Sequence, residues 1–148
     1  MDVFFKWYFL IVGALFIITL IIKTLGSTKE DVLLEGLVED VCKWYHKMYP
    51  IRKSPPRFVF SNEKSLNNGI YTFHNNTVTL YNKNLKDYEV VINTTVHELT
   101  HWYLIRSDKM VREYDEQLEE YKYEFHPQEI WCRAVAAELT NHYIKQKI

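Results

Sequence analysis

The 148-residue chain is long enough for one folded domain, and its 18 lysines and arginines against 19 aspartates and glutamates leave a net charge of −1. So balanced a chain offers no basic field to a phosphate backbone, which excludes nucleic acid as the expected partner. Its two cysteines, Cys42 and Cys132, form no C-x-x-C pair and are too few for a disulfide framework.

From Trp7 to Ile22 every residue is apolar or small except Thr19. With Val3-Phe4-Phe5 ahead of it, the run approaches the roughly 20 residues that cross a hydrocarbon core as a helix. Lys6 can snorkel to an interface beside Trp7 and Tyr8, and no small-residue cleavage site precedes Ser27. The pattern predicts a transmembrane anchor over residues 1–26 and a second domain over 27–148. Lys23, Lys29 and Lys43 on one side against Lys6 on the other predict a single-pass protein with its C-terminal domain in the cytoplasm.

Asp31 to Met48 follows a helical period, with Val32, Leu33, Gly36, Leu37, Val41, Trp44 and Tyr45 on one stripe; Pro50 and Pro55-Pro56 end it. Arg57 to Ser61 reads as a strand, and Asn67-Asn68-Gly69 as a turn. Ile70 to His74 and Thr77 to Tyr81 flank Asn75-Asn76, a hairpin connection of a kind that tolerates positive φ. Tyr88 to Arg106 reads as a second helix. Ser107 to Phe125 is acidic and tyrosine-rich, with Met110, Tyr114, Leu118 and Tyr121 at helical spacing and Glu113, Asp115, Glu116, Glu119 and Glu120 as a solvated face. A last helix opens at Pro127, a residue suited to the first helical position.

The second helix carries His97-Glu98-Leu99-Thr100-His101. Histidines four apart on a helix share a face, so both imidazoles reach one metal ion, and Glu98 stands near enough to take a proton from water at that metal. Two nitrogens and one further ligand leave zinc an open position, the arrangement of a catalytic site. Ile92, Val96, Leu99 and Tyr103 give the helix an apolar face to bury. The third ligand is sought in His126 to Ala134. Glu129, in the first turn of the last helix, would complete a two-histidine, one-glutamate site; His126 is the alternative. The same glutamate also suits a helix N-terminus for electrostatic reasons alone. Glu138 with His142 is a weaker pair, and His46 and His74 read as ordinary polar positions.

The uncharged surroundings of His97 and His101 resemble the extended signature of zincin metallopeptidases. Leu104 and Ser107 stand where a metzincin needs glycine and histidine, which excludes that branch. Glu129 and the downstream Val135-Ala136-Ala137-Glu138-Leu139 resemble the third-ligand helix of ImmA/IrrE-type peptidases, although Trp131 and Cys132 depart from that pattern. His126 before Pro127 is similar, in second place, to the third histidine of SprT-like proteases. The resemblance covers Asp31 to Lys147 and implies an α+β fold: helix, three-stranded antiparallel sheet, HExxH helix and third-ligand helix, here behind one transmembrane helix. It implies a membrane-anchored zinc endopeptidase acting on a protein or peptide substrate. Zinc would be held by His97, His101 and Glu129, Glu98 would be the general base, and Tyr103 or Tyr123 would be available as an oxyanion partner. The rival expectation is a zinc-binding membrane protein that docks a partner and cleaves nothing.

Overall fold

The computed structural model describes residues 33–147. Contacts divide the chain into Met1–Gly36 and Leu37–Ile148, and the second unit contains the sheet and the helices that surround it. Helix α1, over residues 33–48, buries Val38, Val41, Trp44 and Tyr45 at spacings of three and four. It stops where Tyr49 N–H closes on Tyr45 C=O and Pro50 has no N–H to continue.

Three strands follow: β1 (Arg57–Ser61), β2 (Gly69–Thr72) and β3 (Thr77–Tyr81), in the order β1-β3-β2. β2 and β3 form the expected antiparallel hairpin, with Gly69 opposite Leu80 and Thr72 opposite Thr77. The connection is four residues rather than two: Asn76 N–H returns to Phe73 C=O, and Asn76 takes the positive φ of 48°. β1 pairs parallel to β3, Arg57 opposite Thr77 and Ser61 opposite Tyr81. The sheet is therefore mixed, which corrects the antiparallel expectation. Asn76 gives the reason. Its carbonyl accepts from Arg57 N–H, and its side-chain amide donates to the carbonyls of Ser54 and Pro55. The hairpin turn thus fixes the entry of β1 beside the start of β3, and two strands starting at the same end run parallel. β3 is central and holds the fully buried Val78 and Leu80, while β2 is an edge strand among the described residues.

A 3-10 turn (Asn82–Asn84) leads to α2 (Tyr88–Leu104), whose N-cap Asp87 accepts from Val90 N–H at 2.9 Å. Ser107 caps α3 (Asp108–Phe125), which buries no residue and is broken at Lys122. Helix α4 (Pro127–Lys147) buries Glu129, Cys132, Ala136, Leu139 and Tyr143 along one stripe. The core joins α1, α2 and α4 through Trp44, Tyr45, Ile92, Val96, Leu99, Trp102, Ala136 and Tyr143.

Among the described residues no helix is long and apolar enough to cross a membrane. The longest, α4, carries Glu129, Arg133, Glu138, Lys145 and Lys147 along its length. The anchor expected over residues 1–26 lies outside the described residues, and the expected single-pass placement with a cytoplasmic domain is withdrawn. The fold is corrected to four helices and a mixed three-stranded sheet, an α+β arrangement, within residues 33–147.

Candidate metal centre

α2 is wedged between β2 and α4, so it buries residues on nearly every side, Glu98 and His101 among them. His97 and His101, one turn apart, face the start of α4. Pro127 opens that helix, and two residues on, Glu129 points inward at 1% exposure. His97 Nε2 lies 3.2 Å from Glu129 Oε2, His101 Nε2 lies 3.0 Å from Glu129 Oε1, and the two Nε2 atoms are 3.1 Å apart.

These atoms fit a cation on three grounds. Ligand atoms about 2.0–2.1 Å from a tetrahedral zinc stand roughly 3.3 Å from one another, close to the separation of the two Nε2 atoms and to that of each histidine from the carboxylate oxygen nearest it. Two Nε2 atoms aimed at each other compete for one proton, an arrangement that a shared cation resolves. Glu129 Oε2, although 3.2 Å from a histidine nitrogen, is buried with no well-aligned hydrogen bond of its own. The buried group His97, His101 and Glu129 can hold a metal ion. Burial alone raises the Glu129 carboxyl, but His101, His97 and the Tyr114 hydroxyl outweigh it and hold the group well below the usual carboxylate range.

Glu98 packs against β2 at Gly69, on the same cleft as His101 and Glu129, and is 6% exposed. Burial raises its carboxyl above the ordinary value, opposed by the two histidines and by the Tyr71 N–H that donates to it. Gly69 makes this approach feasible. A Cβ there would lie 2.9 Å from Thr94 Cγ2, 3.0 Å from Glu98 Cγ and 3.1 Å from Leu80 Cδ2. Its φ is not positive, so Gly69 serves the close packing of α2 on β2 rather than the turn that Asn67-Asn68-Gly69 suggests.

A cleft of about 470 Å³ opens beside the cluster, lined by β2, Glu98, His101, Glu129 and, from α3, Tyr114 and Tyr123. Tyr81 N–H bonds Asn68 C=O, and antiparallel alternation from that pair turns the backbone groups of Gly69 and Tyr71 to the outer edge of β2, where the Tyr71 N–H is engaged by Glu98. Tyr123 is on the cleft. Tyr103 packs against Tyr49 and Arg106 instead.

His126, the alternative ligand, has another task. Its Nδ1 accepts from Gln128 N–H at 3.1 Å, so Nε2 carries the proton and donates to Tyr114 C=O at 3.2 Å. The ring is fully buried, caps α4 and ties it to α3. Glu138 and His142 are exposed, His46 stacks near Trp102, and His74 sits 3.8 Å from Asp108 on the surface. Sequence reasoning missed Tyr114, whose hydroxyl donates to Glu129 Oε1 at 2.5 Å. It also missed Gln128 and Cys132, which lie 3.4 and 3.6 Å from His101 Nδ1, and Lys53, whose amine reaches Tyr71 Oη, Trp102 C=O and Ile105 C=O. No protein-family model, curated protein or solved structure matches the chain.

Proposed function

We propose that this chain is a zinc metallopeptidase in which His97, His101 and Glu129 hold the metal and Glu98 is the general base. The observation that supports the reading is a buried carboxylate, Glu98, on one cleft with the three-ligand cluster and the edge strand β2. Zinc, when bound, supplies Lewis acidity, acidifying water and polarising a carbonyl oxygen. Glu98, desolvated and raised, takes the proton of the attacking water and returns it to the departing amine. An extended peptide adds to β2 through the outward backbone groups of Gly69 and the Tyr71 carbonyl. The Tyr123 phenol, on the cleft and raised by partial desolvation and by the nearby Glu129 charge, donates to the oxyanion that develops on the substrate.

Glu98→Gln removes the proton acceptor and leaves the three ligands in place. The full-length variant should keep one equivalent of zinc and lose peptide hydrolysis by at least about 100-fold. Metal analysis and a peptide-library assay on the same preparations check it. Hydrolysis by the variant at the rate of the parent protein would overturn the proposal.

A further inference from the structure

The carboxylate of Glu129 is held asymmetrically. Oε1 accepts the Tyr114 hydroxyl at 2.5 Å and lies 3.0 Å from His101 Nε2, whereas Oε2 lies 3.2 Å from His97 Nε2 and has no well-aligned hydrogen bond among the described residues. Tyr114 is itself held from behind. Its ring lies 4.2 Å from that of His126, centroid to centroid, and its carbonyl accepts from His126 Nε2. The opposite nitrogen of His126 accepts from Gln128 N–H, the residue before Glu129. One buried imidazole therefore fixes, on its two sides, the backbone of the phenol donor and the backbone next to the carboxylate acceptor.

We propose that Tyr114 is a positioning residue that, by donating to Glu129 Oε1, weakens that oxygen as a ligand and biases Glu129 towards holding the metal through Oε2. This rests on the metal reading above and adds a determinant of metal choice. Two imidazoles and one carboxylate oxygen leave a four-coordinate ion with one open position, as zinc prefers. A carboxylate free to chelate through both oxygens raises the coordination number and favours larger, harder divalent ions.

The test is made on the full chain, with Tyr114→Phe beside Tyr121→Phe, an exposed tyrosine of the same helix, as the control. Zinc affinity is measured by competition with a chelator, and the visible spectrum is recorded with Co²⁺ alone as the probe. Tyr114→Phe should bind zinc about 10–100-fold more weakly, and its cobalt spectrum should lose the intensity of a four-coordinate ion. Tyr121→Phe should match the parent protein in both. Equal zinc affinity in Tyr114→Phe and the parent overturns the inference. So does a weak, high-coordinate cobalt spectrum in the parent itself, a measurement that stands even if the phenylalanine variant does not fold. Failure of the parent protein to bind any zinc sinks the metallopeptidase reading first, and is thereby told apart from a failure of the Tyr114 assignment alone.

Discussion

Helices α2 and α3 both line the cleft, yet they are built in opposite ways. α2 buries ten residues, and its side chains interlock with α1, α4 and the sheet. α3 buries none, turns only Val111, Tyr114 and Leu118 partly inward, and breaks at Lys122 with φ 57° and ψ 158°. The ligands and the proposed base stand on the elements that packing holds still, α2 and the start of α4. The hydroxyls that address them come from the element that packing holds least. Local stability tracks buried contacts, so α3 is the part of the site that opens at the lowest free energy.

The largest expected effect tests whether the metal belongs to the rigid pair. Glu129→Ala removes the ligand contributed by α4 and should weaken zinc binding by at least 100-fold, read by chelator competition. Retention of zinc at the parent affinity would move the site off α4. Next in size, Ile92→Ala in α2 deletes a fully buried side chain and should lower unfolding free energy by about 2–5 kcal/mol, whereas Leu118→Ala in α3 should cost about 1 kcal/mol or less. Denaturant unfolding of the two variants decides. Equal losses would erase the contrast between the helices. The smallest effect sharpens it: Lys122 holds a backbone conformation that glycine adopts without penalty, so Lys122→Gly should leave stability unchanged or raise it by about 1 kcal/mol. A fall in Tm for that variant would show that the bend carries no strain.

What was legible in the sequence was what short-range chemistry dictates. Helical geometry alone puts the i, i+4 histidines on one face and, with proline at the first position of α4, puts Glu129 in that helix's first turn; the packing of α4 on α2 then brings the side chains of His97, His101 and Glu129 together. The hairpin was legible from its alternating strands and asparagines. The direction of β1 was not, because it depends on hydrogen bonds from Asn76 to residues more than twenty positions earlier, and a side-chain amide leaves no periodic signal. Gly69 read as a turn residue because glycine beside asparagine usually is one; its close approach to Thr94 and Glu98 depends on how α2 is laid on the sheet. Tyr114 was visible only as one member of an amphipathic stripe. A stripe does not reveal which hydroxyl finds a carboxylate fifteen residues on. His126 is the converse case: three residues before Glu129, it is used by the backbone rather than by the ligand set.

The spacing of the three ligands bears on the unfolded chain as much as on the folded one. His97 and His101 are neighbours in sequence, while Glu129 lies 28 positions beyond His101, with the whole of α3 in between. A cation held by all three therefore acts as a cross-link closing a loop of that size. By the chain-entropy arithmetic used for disulfides, closing such a loop is equivalent to about 3–4 kcal/mol taken from the disordered ensemble. The beneficiary is the segment inside the loop. α3 has little apolar burial to oppose its own conformational entropy, and a cation pinned at both of its flanks would confine it topologically where packing does not.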